Sequence, residues 1–380
     1  MSRSPPATAV RLALLRRDTE LDARKPNGAS GATSSREGTG MLARHAEPLS
    51  RCIARRPPGQ TARGAGDAHA RAAPNPVGAM IRTVGPSWGA TVMATGIVSA
   101  VLWDDGLQTA SIALMGIASA LWTASAVALA VRAACDRARM RREARAVGSL
   151  TAVAGTSVLG TRLAMQGWPA AAAVLLACAA ATWPPLIVAV LRWWRQSAAG
   201  EVFLIGVSTE GIAVLCATLA GAFGAAWLAA AGAIALVAGV GLYVFALASF
   251  DPIEVWRGRG DQWVAGGALA ISALAASDID TAASSLGVLA VLHAPLRNAS
   301  LVLWGLAIAW LPLLIVGELH RLRPGYDARR WATVFPLGMY AAMSFAVART
   351  TGNPWIARRA RCVSRAARSL PFSRVSRTDP

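Results

Sequence analysis

Residues 202–250 read VFLIGVSTEGIAVLCATLAGAFGAAWLAAAGAIALVAGVGLYVFALASF, and their only charged side chain is Glu210. Two apolar runs, residues 202–219 and 227–250, flank a short uncharged segment of small residues. A bilayer core about 30 Å thick is crossed by about 20 apolar helical residues, which is close to the length of each run. The stretch therefore predicts two antiparallel membrane helices joined by a tight turn.

Similar apolar runs recur along the whole centre of the chain. Only 15% of the 380 residues are charged, whereas soluble domains carry about a quarter. We therefore predict an all-α integral membrane protein, a bundle of helical hairpins. Its nine predicted spans are residues 87–103, 110–131, 147–165, 168–191, 202–219, 227–250, 263–276, 300–317 and 331–347.

The net charge of +18 lies mainly at the two ends of the chain. Residues 1–79 hold 13 basic against six acidic residues, and residues 350–380 hold seven against one. We predict that both ends are disordered and flank a transmembrane domain at 80–349. Residues 1–79 are alternatively an extension from a wrongly assigned start, since Met80 directly precedes the first span. We favour a solvated or untranslated segment over a nucleic-acid-binding one, so no nucleic-acid partner is predicted.

Arginines mark alternate loops between the predicted spans. The loops after the even spans are rich in arginine, whereas the others are acidic or uncharged except for Arg297. By the positive-inside rule, the amino terminus and the arginine-rich loops are cytoplasmic. We expect the protein to lie in the cell (inner) membrane. The basic residues assigned to these loops are Arg132, Arg137, Arg139, Arg141, Arg142, Arg145, Arg192, Arg195, Arg257, Arg259, Arg321, Arg323, Arg329 and Arg330. The acidic residues assigned to the outer loops are Asp104, Asp105, Asp278 and Asp280.

The carboxyl end departs from this charge pattern. After nine spans it emerges on the outer side, yet residues 350–380 carry seven arginines. A tenth helix lost by truncation or a frameshift near residue 352 would explain the anomaly. A basic tail tolerated outside is the alternative.

Small and hydroxyl residues recur in the odd-numbered spans. Close helix packing is their default role. The alternative is a pore, because Gly and Pro expose backbone and hydroxyls hydrogen-bond a partly dehydrated anion. The even spans also contain Gly and Pro, so composition alone does not identify a lining. The pore-lining or kink residues proposed on this basis are Thr95, Gly96, Thr156, Gly160, Ser208, Gly267, Pro336 and Gly338.

Two ionisable residues fall inside predicted spans. Glu210 is near the middle of the fifth span and is a candidate for transport or proton coupling; the alternative is a neutral, hydrogen-bonded packing residue. Arg162 is expected to be structural, with its side chain extending to the membrane interface. The two differ in depth by about seven residues, or roughly 10 Å at the helical rise, so no direct pair is expected.

Motifs of enzymes and of metal sites are absent from the sequence. It contains no HExxH, GxSxG or Walker motif, and its five cysteines and four histidines show no metal-ligand spacing. We therefore predict no cofactor, no metal site and no enzymatic activity.

Several segments resemble the tellurite-resistance/C4-dicarboxylate transporter family, which includes the slow anion channels. Residues 92–98, VMATGIV, resemble its opening VMGTGI-type motif, and residues 154–162 and 266–271 are similar to its third and seventh helices. Residues 331–341, WATVFPLGMYA, are similar to its ninth helix and form the most specific match. The resemblance covers residues 83 to about 349.

This resemblance implies a ten-helix domain of five hairpins, with odd helices around a central pore and even helices outside. It also implies a homotrimer with one pore in each protomer, and small anions or C4-dicarboxylates as substrates. A Phe of the ninth helix blocks the pore, and Phe335 is the matching residue. Beside the kink at Pro336, an aromatic ring can plug a narrow constriction; an ordinary packed Phe is the alternative.

Three hypotheses follow from the sequence. The first is a passive anion channel gated by Phe335, and the second is a proton-coupled dicarboxylate carrier that uses Glu210. The third is a membrane-embedded enzyme or a non-transporting scaffold, which needs polar catalytic side chains converging near one leaflet.

Overall fold

The computed structural model describes residues 88–194, 199–257, 260–320, 331–353 and 355–356. These residues form helices joined by turns, without a strand among them. The predictions for residues 1–79, and for residues 350–380 apart from the few just named, fall outside the described part of the chain.

Nine long helices make up the described part. Each overlaps one of the nine predicted spans. In chain order they are α1 (Gly89–Asp104), α2 (Gln108–Cys135), α3 (Thr151–Met165), α4 (Pro169–Arg192), α5 (Leu204–Phe223), α6 (Ala226–Ser249), α7 (Trp263–Leu286), α8 (His293–His320) and α9 (Trp331–Thr351). Two short helices, Arg137–Glu143 and Ile253–Arg257, lie in arginine-containing connections, and 3-10 turns precede α3, α5 and α8.

The predicted end of the seventh span at residue 276 is wrong. Helix α7 continues to Leu286, so Asp278 and Asp280 are helical residues rather than loop residues. The hydropathy pattern predicts that the span ends before its first carboxylate. The helix continues past that residue because its last turns pack against polar groups. There, Asp280 Oδ1 lies 2.9 Å from Nδ1 of His293, the first residue of α8. Arg297, which was assigned to an outer loop, also lies within α8.

The odd-numbered helices form an inner ring. Helix α1 packs on α3, α3 on α5, α5 on α7, α7 on α9, and α9 returns to α1. Helices α2, α4, α6 and α8 each pack against the preceding odd helix and complete its hairpin. In α5, 89% of the most apolar segment is buried, whereas the corresponding share is 22% in α2 and 17% in α8. The odd helices are therefore inner and the even helices outer.

The outer helices expose a large apolar surface. Ile234 and Val237 on α6 are about three-quarters exposed, and Val302 on α8 and Ile117 on α2 are at least half exposed. An extensive apolar surface of this kind suits lipid rather than water. In the described part of the chain, five helices are long and apolar enough to cross a bilayer, namely α2, α4, α5 with its preceding turn, α6, and α8 with its preceding turn.

The four remaining long helices all belong to the inner ring. Helix α1 is a shorter apolar helix, α3 has 15 residues, and α7 and α9 are less apolar than the five spans. Inner helices face protein on most sides, so they need less apolar surface than helices that face lipid. The chain is therefore a multi-pass helical membrane protein, and the number of its crossings stays a prediction.

A glycine with a left-handed backbone follows the carboxyl end of every inner helix. A positive φ is unfavourable for residues with a Cβ, and glycine therefore ends the helix and allows the chain to reverse. In chain order these residues are Gly106, Gly167, Gly224, Gly287 and Gly352. The first four lie in the turns of the α1–α2, α3–α4, α5–α6 and α7–α8 hairpins.

The arginine-rich connection between α2 and α3 has a fixed structure. Arg132, which was assigned to this loop, lies in α2 and is buried, and its Nη1 lies 2.7 Å from Glu143 Oε2. Arg139 Nε lies 2.8 Å from Glu143 Oε1. Burial acts to raise the pKa of Glu143, but hydrogen bonds from Arg139 and Arg132 outweigh it and the pKa lies below its ordinary value. Glu143 is therefore ionised at neutral pH and holds the short helix Arg137–Glu143 against α2.

Replacing Gly200 by alanine tests the close approach between the amino ends of α5 and α7. A Cβ at Gly200 would overlap the backbone carbonyl oxygen of Asp261, which cannot rotate away as a side chain can. Overpacking of this kind costs about 1–3 kcal/mol. We therefore expect Gly200→Ala to lower the melting temperature of the detergent-purified protein.

Gly241→Ala on α6 is the matched control, because a Cβ there meets nothing within 4 Å. Alanine also favours the helix over glycine, so we expect this variant to melt at or slightly above the wild-type temperature. Identical melting temperatures for the two variants would contradict the backbone contact.

Candidate functional site

A cavity of about 70 Å³ lies between the inner helices, and all five contribute to its wall. We term it the central cavity. Its lining consists of Ile97, Ala100, Asp104, Val158, Thr161, Met165, Gly211, Val214, Ile271, Leu274, Asp278, Met339, Ala342 and Arg349. The lining residues come mainly from the carboxyl-terminal halves of these helices, so the cavity lies toward one end of the ring.

Charged side chains line one end of the central cavity. Asp104 ends α1, Asp278 lies in the last turns of α7, and Arg349 lies near the end of α9. Arg349 Nη1 lies 3.5 Å from Asp104 Oδ2, and the Arg349 side chain is more than half exposed. The two carboxylates and the arginine therefore form a polar mouth, on the side of the ring where the hairpin turns lie.

The opposite end of the central cavity is apolar. Its innermost lining residues on each helix are Ile97, Val158, Gly211, Ile271 and Met339. Residues three or four positions earlier lie one helical turn deeper along the same faces. At that spacing each helix contributes an apolar residue to one buried cluster, namely Ala94, Ala154, Val207, Ala268 and Phe335.

Phe335 occupies the deeper level on α9. It lies one turn before Met339, its side chain is 3% exposed, and it does not line the central cavity. Pro336, the next residue, lies within the helix and packs against Gly267 of α7. The central cavity therefore ends at an apolar layer to which α9 contributes a phenyl ring beside a proline.

Residues 83–364 match a family model described as voltage-dependent anion channel (SLAC1). The chain belongs to the voltage-dependent anion channel family. The matched segment contains all nine long helices and the whole central cavity, and it agrees with the resemblance to the slow anion channels. No curated protein matches the chain.

Family membership makes the chain a channel-like membrane protein for anions. Members of the family are channels rather than enzymes, which is consistent with the expectation of no enzymatic activity. In the described part of the chain, no three His, Cys, Asp or Glu side chains lie close enough together to hold a metal ion.

The predicted glycines lie at contacts between inner helices, not in the wall of the central cavity. A Cβ at Gly96 would lie 2.9 Å from Val158 Cγ1, and one at Gly338 would lie 2.7 Å from Ile97 Cγ2. Gly160 approaches Leu215 of α5 in the same way, and Gly267 approaches Pro336. Their observed environment is therefore that of packing residues, which was their default interpretation.

The predicted hydroxyl residues are also bound within the protein. Thr95 Oγ1 donates to the carbonyl of Thr91 at 2.7 Å, and Ser208 Oγ donates to that of Ile205 at 3.1 Å. Thr156 Oγ1 donates to the carbonyl of Ala152 and accepts from an indole, as described next. None of the three lines the central cavity, where Thr161 supplies the hydroxyl among the described residues.

Tryptophans in the middle of outer helices bind hydroxyls of inner helices. Trp122 Nε1 of α2 donates to Thr156 Oγ1 of α3 at 2.8 Å. Trp183 of α4 donates to Thr209 of α5, and Trp304 of α8 donates to Ser344 of α9, each at 3.0 Å. Each bond joins an even helix to the next odd helix and so ties one hairpin to its neighbour. The sequence analysis gave no role to these three tryptophans, because the pairing depends on contacts between separate helices.

Glu210 points away from the central cavity. Its carboxylate is 0% exposed, and Oε1 accepts a hydrogen bond of 2.5 Å from Ser272 Oγ of α7. A Cβ at Gly239 would overlap the Glu210 side chain, which therefore lies against α6. Glu210 joins α5, α6 and α7, whereas its neighbour Gly211 faces the central cavity.

The Arg162 side chain is buried among neighbouring helices, at the end of the bundle where the hairpin turns lie. Its Nε donates to Ser99 Oγ at 3.0 Å, and Nη2 donates to Ser111 Oγ at 2.8 Å and Gln166 Oε1 at 3.0 Å. The guanidinium also lies over the Trp103 ring, 4.6 Å from its centroid. The planar guanidinium thus donates to groups of α1, α2 and the turn after α3 at once.

The charged mouth of the central cavity was not predicted as a site. The sequence placed Asp104 and Asp278 in loops and interpreted their charge as a sign of topology. Their positions in the sequence could have indicated this site, because both acids and Arg349 occur near the carboxyl ends of odd-numbered helices. Their convergence depends on closure of the inner ring, which brings α9 beside α1.

Replacing Arg162 by lysine is expected to destabilise the protein. An ammonium cannot donate to Ser99, Ser111 and Gln166 in the geometry of the guanidinium fork, and bonds from a charged group contribute about 1.5–3 kcal/mol. The free energy of unfolding, measured by denaturant titration in detergent, should fall by about that amount.

Arg192→Lys is the matched control, because Arg192 is exposed at the end of α4. Surface substitutions usually change stability by less than about 0.5 kcal/mol. A wild-type unfolding curve for Arg162→Lys would show that the fork does not stabilise the fold.

Proposed function

We propose that the protein is a passive channel that conducts small anions along the axis of the inner ring, with Phe335 as its gate. The observation that carries this proposal is the position of the central cavity. All five inner helices line it, and it ends one helical turn above a buried phenyl ring. Membership of an anion channel family supplies the class of permeant solute.

The mouth holds one cation that attracts an anion and two carboxylates that oppose its entry. Arg349 is the exposed cation of the mouth, and Asp104 holds its side chain from one side. Beyond the mouth the wall is almost entirely apolar, so a permeating ion loses much of its water there. Weak binding and partial dehydration favour rapid passage over tight capture.

Phe335 suits the role of a gate because of what surrounds it. The ring fills an apolar layer without polar partners, so moving it breaks no hydrogen bond. An apolar constriction of this kind blocks ions by excluding water. Pro336 removes one backbone hydrogen bond from α9 and gives the helix local freedom beside the ring.

The lining of the central cavity favours small inorganic anions as substrates. Arg349 is the one cationic side chain among its lining residues in the described part of the chain, and the other lining residues are apolar or acidic apart from Thr161. A C4-dicarboxylate would bring two negative charges into this wall, whereas chloride or nitrate brings one. Dicarboxylates remain the alternative substrates that the resemblance implies.

The Phe335→Ala variant tests the gate. Removing the ring opens the apolar layer below the central cavity, so we expect chloride and nitrate flux into proteoliposomes to rise on the order of tenfold. Malate flux measured in the same vesicles reports whether the wider passage admits a dicarboxylate.

Phe345→Ala is the matched control for Phe335→Ala. Phe345 is a second buried Phe of α9, and it lies outside the lining of the central cavity. Either truncation costs about 3–5 kcal/mol of core packing, so an effect of stability alone would appear in both variants. The gate is refuted if folded Phe335→Ala protein conducts no more than wild type, or no more than Phe345→Ala.

The proton-coupled carrier is the second mechanism, and the surroundings of Glu210 favour the passive channel over it. A coupling carboxylate must exchange protons with water, but Glu210 is enclosed between α5, α6 and α7. We infer that Glu210 is a hydrogen-bonded packing residue. Its Oε2 atom has no hydrogen-bond partner among the described residues, so no side chain of the described part relays a proton between this carboxyl group and water.

We expect Glu210→Gln to conduct anions at the wild-type rate, because the amide preserves the shape of the side chain and the hydrogen bond from Ser272. An imposed proton gradient should change the flux in neither protein. Asp278→Asn is the comparison variant, since this carboxylate lines the central cavity and its removal should raise anion flux at low ionic strength. Loss of uphill uptake in Glu210→Gln alone would establish the carrier instead.

We propose further that the protein is a homotrimer in the cell (inner) membrane with a cytoplasmic amino terminus. The resemblance supports the trimer, and the position of Arg137–Glu143 at the amino-terminal side of the inner ring supports the orientation. Mass measurement in nanodiscs tests the first proposal. Labelling of cysteines introduced at positions 106 and 141 from either side of the membrane tests the second.

A further inference from the structure

A second cavity, which we term the lateral cavity, lies between α1, α2, α3 and α4 on the outer side of the inner ring. Its volume is about 430 Å³, within the range of about 300–1,000 Å³ that ligand sites occupy. Among the described residues, it shares no lining residue with the central cavity. Nothing in anion conduction along the ring requires this space.

The lateral cavity has a floor formed by two helices in close contact and a wall formed largely by small side chains. Helices α1 and α3 touch at its floor, where a Cβ at Gly155 would lie 2.9 Å from the carbonyl oxygen of Gly89. Helix α2 forms one wall with Ala126, Leu129 and Ala130. The small side chains of α2 leave the space that bulkier residues would fill.

Hydroxyl groups in the lateral cavity are already satisfied. Ser125 Oγ donates to the carbonyl of Leu121, and Thr182 Oγ1 donates to that of Cys178, each at 2.7 Å. Thr156 is bound between its own helix and Trp122. These groups therefore have little to offer a polar ligand, and the wall suits a hydrocarbon chain.

The short helix Arg137–Glu143 borders one end of the lateral cavity. Met140 and Glu143 line the cavity itself, while Arg137, Arg141 and Arg142 are exposed on the same helix. Glu143 is occupied by Arg132 and Arg139. Within the described part of the chain, no carboxylate forms an ion pair with Arg137, Arg141 or Arg142.

Arg145 extends this positive surface toward α4. Its guanidinium lies over the Trp193 ring, 3.9 Å from the centroid, at the end of α4. The positive surface thus reaches from the end of α2 to the end of α4, the two helices that form the sides of the lateral cavity.

We propose that the lateral cavity binds an anionic phospholipid, with one acyl chain inside and the phosphate headgroup against Arg137, Arg141 and Arg142. Clusters of arginines beside a membrane span attract anionic lipid, and a guanidinium binds a phosphate through two parallel hydrogen bonds. The neighbouring surface of α2 and α4 faces lipid, since Val127 and Val188 are about half exposed. A membrane lipid can therefore reach the site from the bilayer.

Native mass spectrometry of the full chain in detergent tests this proposal. The protein is titrated with phosphatidylglycerol and, in parallel, with phosphatidylcholine that carries the same acyl chains. We expect phosphatidylglycerol to bind at least fivefold more tightly, because a basic residue near an anionic lipid contributes about a fivefold factor. Glycerol phosphate and palmitate, added separately, report on the headgroup and the chain alone and should each bind more weakly.

Two sets of variants locate the lipid. The double variant Arg141→Gln/Arg142→Gln should weaken phosphatidylglycerol binding about 25-fold, because each arginine contributes a factor of about five. Arg297→Gln, which removes an exposed arginine on the opposite side of the ring, should leave binding unchanged. Ala126→Phe should reduce the affinity for both phospholipids by filling the cavity, whereas Ala120→Phe, at an exposed position of α2 outside it, should not.

A photoactivatable phosphatidylglycerol, with the reactive group on its acyl chain, gives the location directly. We expect its crosslinks on α2 within residues 126–133 and on α4 within residues 178–186. Equal affinity for the two phospholipids, wild-type binding by Ala126→Phe, or crosslinks confined to other helices would each overturn the proposal. Tight binding of glycerol phosphate alone would assign the arginines to a soluble phosphate instead.

Discussion

Polar groups inside a lipid-embedded bundle need partners from the protein itself, because the hydrocarbon of the bilayer offers none. The indoles of Trp122, Trp183 and Trp304 meet this need for hydroxyls on the inner helices. Each bond also fixes the rotation of an outer helix against the next hairpin. The same hydrogen bonds therefore satisfy polar groups of the interior and tie three hairpins to the helix that follows, in chain order.

Close packing of the inner ring depends on that order. Gly96 and Gly338 allow α1 to approach both of its neighbours, and Gly267 allows α7 to approach the kinked part of α9. With the hydroxyls bound and the helices in contact, the space along the axis is narrow and apolar. A ring such as that of Phe335 can close such a space without a polar contact that must break when it moves.

The two sides of the inner ring differ in chemistry. At one side, Asp104 and Arg349 form a mouth of mixed charge above the central cavity. At the other, the short helix Arg137–Glu143 concentrates positive charge beside the apolar lateral cavity. Arginine thus occurs in two settings in this chain, at the mouth of the central cavity and beside the lateral cavity.

The sequence by itself determined the helical class and the hairpin order, because apolar length and charge alternation are local properties. The inner position of the odd helices was implied only by the family resemblance, and the contacts between helices establish it. Only the tertiary structure decided where polar side chains point. It turned Glu210 toward Ser272 and away from the axis, buried Arg162 among three helices, and placed Asp278 at a cavity rather than in a loop. Those outcomes depend on helix rotation, which is set by contacts between residues far apart in the chain.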